Sequence, residues 1–139
     1  MMDFKNITDL KLDGIMKFLT DKTGGNGTIV VCQNDKVLDH FSTPDIKMDS
    51  VIVKGPLQDT YTIYLRKDNK KPERLLCHEF VHLSQMLRGD LEIDEGTPSF
   101  IWKGIPFDAT FPYRWRPWET EAFNKQEKIF REYRKSNKQ

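Results

Sequence analysis

The sequence predicts an α+β fold: a helix near the amino terminus, a small and mainly antiparallel sheet of three or four strands, and two further helices toward the carboxyl end. Apolar residues recur at helical spacing before residue 20. Four short β-branched or aromatic runs, separated by turn residues, occupy 28–67; two long stretches after residue 71, each opened by a proline, return to helical spacing. The 139 residues show no strong shift in composition, so one domain spanning 1–139 with a real core is expected.

Ile7, Leu10, Ile15, Met16, Phe18 and Leu19 mark the first helix, and "TGGNG" at 23–27 stops it with residues that permit turn dihedrals. The expected strands are "TIVVCQ" (28–33), "KVLDHFS" (36–42), "DSVIVKG" (49–55) and "TYTIYLRK" (60–67), with "QND" read as a hairpin link. In "DNKKPERLLCHEFVHLSQMLRG", Pro72 suits a first helical position and Gly89 a position just past the end. The connection 90–117 is long and rich in Gly, Pro and aromatics, which is usual for a functional segment; "SFIWKG" within it alternates like a strand or hairpin. Pro117 opens the last helix, whose basic end suits the helix dipole.

Charge and composition exclude several classes. Twenty-two basic and 21 acidic residues with interspersed signs create no field of the kind a nucleic-acid backbone selects, so nucleic acid is not an expected partner. The basic end "REYRKSNKQ" reads as a solvated helix terminus. The amino terminus lacks a signal-like apolar run and no stretch is long enough to span a bilayer, so no membrane association is expected. Only Cys32 and Cys77 are present, too few for a disulfide framework, and the expected address is cytoplasmic.

The chemistry centres on "HEFVH" at 78–82. Histidines four apart on a helix lie about 40° from each other around its axis, so His78 and His82 can aim ring nitrogens at one point. Glu79, about 100° further round, can reach a metal-bound water without taking a ligand position. Leu76, Phe80, Leu83 and Leu87 project to the other side and already supply the core face, so the histidines are not needed there. A zinc site, Zn2+ with Glu79 as general base, is the leading reading.

Catalytic zinc takes three protein ligands and leaves a fourth position for water. A metzincin continuation would need a glycine and a histidine where Gln85 and Arg88 stand, and His40 sits in an expected strand without a supporting spacing. Glu119 is the better third ligand. It shares the one apolar stripe of the last helix with Ala122, Phe123, Gln126, Phe130 and Tyr133, and an inward carboxylate there is costly unless paired. A favourable dipole at a helix start is the competing explanation for Glu119. Glu121, about 160° away, is expected to face solvent or nearly so.

"HEFVH" with "ETEA" at 119–122 resembles the gluzincin group of zinc metallopeptidases, in particular the small minigluzincins and compact peptidase-like proteins of phages and mobile elements. The resemblance covers residues 72–124. It implies a zincin-like fold, Glu119 as the ligand from a second helix, and hydrolysis of peptide bonds in a peptide or protein substrate. Two departures accompany it. Phe123 stands where many relatives carry an aspartate or asparagine, so support for the histidines must come from elsewhere, and the oxyanion-stabilising group has no motif; Tyr113, Arg114 and Arg116 are candidates by position.

Substrate contact is expected at the strand-like "SFIWKG", through its edge and through Phe100 and Trp102. Phe107, Phe111, Tyr113, Trp115 and Trp118 either line a cleft or form an aromatic core beneath the long connection. The competing functional class is a binding module that keeps zinc without turnover; retention of Glu79, which a structural site does not need, speaks for the enzyme.

Overall fold

A computed structural model describes residues 1–55, 57–94, 96 and 99–137. Its first element is a strand, where a helix was expected to begin. In β1 (Met2–Asn6) Met2 and Phe4 turn inward while Asp3 and Lys5 face solvent, an alternation of period two that the helical count over Ile7 and Leu10 passed over. Ile7 is exposed, and helix α1 runs only over Asp13–Lys22, burying Ile15, Met16 and Leu19. Strand β2 (Gly27–Gln33) then lies parallel to β1, so β1, α1 and β2 form a crossover unit.

"KVLDHFS" is likewise not a strand. Residues Asp35–His40 form helix α2, and the Asn34 side chain accepts a hydrogen bond from the Val37 backbone N–H at 3.2 Å. "QND" is thus a helix cap and not a hairpin. Leu38 and Phe41, three apart, are both fully buried, which a strand would not allow on one face.

Strands β3 (Ser50–Lys54) and β4 (Thr60–Leu65) complete a four-stranded sheet ordered β1-β2-β4-β3. Two of its pairings, β1 with β2 and β2 with β4, are parallel and only β3 with β4 is antiparallel, so the sheet is mixed and not mainly antiparallel. Helix α3 (Pro72–Leu87) has Pro72 in its first turn, and Gly89 follows it at φ +82°, a value that favours glycine. The long connection folds into a second sheet, antiparallel, of β5 (Leu91–Asp94), β6 (Ser99–Trp102) and β7 (Ile105–Asp108). Lys103 and Gly104, both at positive φ, make the two-residue turn between β6 and β7. A short 3-10 turn, Tyr113–Trp115, leads to helix α4 (Pro117–Asn137). Among the described residues the architecture is α+β, with four α-helices and both mixed and antiparallel sheets. Among the described residues, no helix is long and apolar enough to cross a membrane.

The core falls into two clusters divided by the mixed sheet. Ile29, Val31, Ile52, Ile63 and Leu65 pack with α1 and α3 on one face. Val51 and Val53 pack on the other with Leu38, Phe41, Leu91, Phe100 and Trp118. Strand β3 contributes to both, which explains its unbroken apolar run although it ends its sheet. Trp118 belongs to this core and to no cleft: it is fully buried, with Phe100, Phe107 and Trp102 ring centroids at 5.3, 5.2 and 6.2 Å. Trp118→Ala is expected to cost about 3–5 kcal/mol of folding stability, read from the urea midpoint at constant slope.

Candidate functional site

Three side chains from α3 and α4 converge. His78 and His82 present their Nε2 atoms 3.2 Å apart, and Glu119 Oε1 lies 2.8 Å from the first and 2.9 Å from the second. All three residues are buried, and among the described residues they form a group that could hold a metal ion.

The far side of each imidazole is held by an amide. His78 Nδ1 meets Gln126 Oε1 at 2.5 Å and His82 Nδ1 meets Gln85 Oε1 at 2.8 Å. Gln85 Nε2 donates to the Trp118 carbonyl (3.0 Å) and to Glu121 Oε1 (2.8 Å), both acceptors, so its Oε1 must face His82 and the His82 Nδ1 carries hydrogen. His82 Nε2 then has either a second proton or a lone pair to offer. Two protonated Nε2 atoms 3.2 Å apart repel, whereas two lone pairs and a carboxylate around one cation do not. The donor set therefore fits a metal ion on the chemistry of its own hydrogen bonds.

Without an ion, the same carboxylate favours a proton on the imidazoles. Burial alone would depress His82, yet the Glu119 carboxylate outweighs it and lifts His82 to about 9; His78 is raised by the same balance. Glu119 is pushed up by burial and pulled down harder by the two imidazoles, so it stays ionised well below the usual carboxylate range. A permanent negative charge facing two imidazoles favours a bound cation, a proton or a metal ion.

Glu79 lies beside this group, almost fully buried, with its two oxygens in unlike surroundings. Oε2 accepts a 2.5 Å hydrogen bond from Ser50 Oγ at the start of β3, and Oε1, also buried, has no hydrogen-bond partner among the described residues. A cavity of about 450 Å³ opens over His78, Glu79, His82 and Glu119, walled by Met48–Val51, Phe100, Tyr113 and Phe123. Arg66 fixes that first wall: its Nε and Nη2 donate to the Met48 carbonyl at 3.0 and 2.8 Å, and its guanidinium pairs with Asp39 at 3.0 Å.

Tyr113 reaches the site, its hydroxyl donating to Glu119 Oε1 at 3.0 Å; burial and then Glu119 raise its pKa, so it keeps its proton. Arg116 does not. It is fully buried, with Nε and Nη2 donating to the Phe111 and Ala109 carbonyls at 3.0 Å, and it stacks near the Tyr113 ring; it holds the segment that carries Tyr113. Arg114 lies over the exposed Trp115 ring, away from the cavity. Phe100 lines the cavity from the core side, whereas Trp102 lies outside that lining, on a separate surface depression with Thr120 and Asn124. The edge of "SFIWKG" is not offered to a peptide either, because β6 is the central strand of its sheet and is paired on both sides. His40 is exposed on α2 and outside the group that could hold a metal ion.

Sequence reasoning did not assign Gln85, Gln126, Ser50 or Glu121 to the site. A signal existed for two of them, since Gln85 follows His82 by one helical turn and Gln126 lies two turns along the Glu119 stripe. Glu121 is no bystander at the surface: hydrogen bonds from Gln85, Arg88 and Lys125 overcome partial burial and hold it at about 2. Phe123 fills the space expected for an acid or amide and sets its ring edge-on to His78 at 4.9 Å. Gln126→Ala or Gln85→Ala is expected to weaken metal binding about 10- to 100-fold, measured by competition with a chromophoric chelator.

No protein-family model matches the chain, no curated protein is found similar to it, and no solved structure matches it.

Proposed function

We propose that the chain is a zinc metallopeptidase of the gluzincin type, cutting peptide bonds in a peptide or protein substrate, with His78, His82 and Glu119 as ligands and Glu79 as general base. The observation that carries the reading is Glu79, buried beside the three ligands with one oxygen fixed by Ser50 and the other unbonded. A structural metal site has no use for such a group. Two imidazoles and one carboxylate, with a cavity over them, suit zinc with a fourth position open to water.

When bound, zinc polarises a carbonyl and makes water acidic enough to ionise near neutrality. With the ion in place, Glu79 Oε1 would be the group to accept a proton from the attacking water and return it to the leaving amine, and Ser50 holds the carboxylate against rotation. Tyr113, protonated and fixed by the Arg116-held segment, is the group we assign to the developing oxyanion. An extended substrate finds its sheet edge at β3, which ends the mixed sheet and whose first residues wall the cavity.

Purified protein analysed by mass spectrometry is expected to carry about one zinc per chain and to cleave a generic unfolded protein, with both properties lost to a strong chelator. Full cleavage by zinc-free protein would overturn the reading. The second reading, a zinc-holding domain that binds a protein without turnover, draws support from the Tyr113 hydroxyl being engaged by Glu119. The Glu79 variant discussed below separates the two.

A further inference from the structure

Beside the catalytic cavity lies a second one, of about 390 Å³, over the first turn of α3. Lys11, Lys70, Lys71, Arg74 and Arg134 line it, against a single carboxylate, Glu73, which accepts a hydrogen bond from Tyr133. Such a concentration of cations stands out in a chain whose net charge is +1. Leu10, Leu12 and Phe130 supply an apolar floor, and the guanidiniums of Arg74 and Arg134 lie over the Phe130 ring at 4.7 and 5.9 Å. The positive end of the 16-residue helix α3 adds to the field, since no side chain caps it.

The two cavities share a sill. Lys71 and Arg74 line both, and Arg74 is held there by Glu127, whose two oxygens lie 2.7 and 2.8 Å from Nη1 on the catalytic side. A chain lying over the metal ligands and leaving across this sill enters a cleft that is apolar below and cationic around.

We propose that this cleft binds an acidic segment of the peptide substrate, so that the site selects peptides carrying Asp or Glu residues to one side of the bond that is cut. The proposal rests on the peptidase reading for the position of that bond. A nucleic acid would also meet cations here, but the basic side chains are gathered around one open depression with an apolar floor, not spread along an extended basic face, and the chain as a whole has balanced charge.

The test uses the full chain as Glu79→Gln and a fluorescein-labelled peptide with an apolar core flanked by a Glu-Asp-Glu run, beside a twin with Gln-Asn-Gln. Fluorescence anisotropy at low salt is expected to show the acidic peptide bound about tenfold more tightly. That ratio should fall toward one when Lys70→Glu and Arg134→Glu are added; both side chains are exposed, so these changes spare the core. Equal binding of the two peptides, or a ratio that survives the charge reversal, overturns the proposal. So does displacement of the acidic peptide by a short single-stranded oligonucleotide at lower concentration than by unlabelled peptide, which would assign the cleft to nucleic acid. Wild-type protein is assayed for cleavage of both peptides in parallel. Absent cleavage with the binding preference intact removes the peptidase reading and leaves the cleft's acidic ligand standing; cleavage of both twins at equal rates, with equal binding, removes the cleft proposal alone.

Discussion

Glu79→Gln is expected to abolish peptide cleavage while leaving zinc content unchanged. The amide has the size of the carboxylate and can still accept the Ser50 hydroxyl proton, so the wall at β3 and the packing of α3 need not move. It cannot take a proton from water. Loss of a positioned general base lowers turnover about 10²- to 10⁴-fold, equivalent to about 3–5 kcal/mol of barrier. Glu79 is not a ligand, since the converging atoms belong to His78, His82 and Glu119, so elemental analysis of the variant should match wild type. Equal cleavage by variant and wild type would end the hydrolase assignment. If neither protein turns over substrate but both bind it, the binding-module reading replaces it.

The second large effect is expected from Glu119→Ala. Among the described residues, this carboxylate alone hydrogen-bonds both imidazoles, whose other ring nitrogens meet two neutral amides. Removing it should weaken zinc binding by more than the about 10- to 100-fold expected for loss of an outer hydrogen-bond partner such as Gln126. Metal-free protein is also affected, because His82 loses the buried partner that keeps it charged; breaking a buried ion pair from one side costs about 3–5 kcal/mol. Thermal melts with and without zinc separate the two contributions. Wild type should gain about 2.7 kcal/mol at a zinc concentration 100-fold above Kd, and the variant should show little gain at that same concentration. A variant that binds zinc as wild type does would exclude Glu119 as a ligand.

Legibility along the chain followed element length and the number of independent signals. Helix α3 carried Pro72, an apolar stripe and Gly89, and α4 carried Pro117 and its own stripe, so each was readable from local residues. Helix α2 has only six residues, and within "KVLDHFS" the β-branched and aromatic content outweighed the one capping signal at Asn34. Strand β1 was masked because Ile7 and Leu10 happen to continue the α1 spacing backward, although Ile7 is exposed and Leu10 only packs at the margin of the core. The site divides in the same manner. His78, Glu79 and His82 are one helical motif, and Glu119 is legible because a buried acid requires a partner. Ser50 meets Glu79 across 29 residues of sequence, and nothing near either residue announces the meeting.

The residues by themselves determined which faces of α3 and α4 are apolar, that two imidazoles share one side of a helix, and that a carboxylate lies in a stripe that must be buried. These follow from the 3.6-residue period and from the cost of burying charge, both of which act locally. Only the tertiary structure decided that β1, β2 and β4 run parallel, that Trp118 is core while Tyr113 reaches Glu119, and that Gln85, Gln126 and Ser50 hydrogen-bond His82, His78 and Glu79. Such choices rest on contacts between segments far apart in the chain, whose free energy appears only when the whole core closes and its polar groups pair across it.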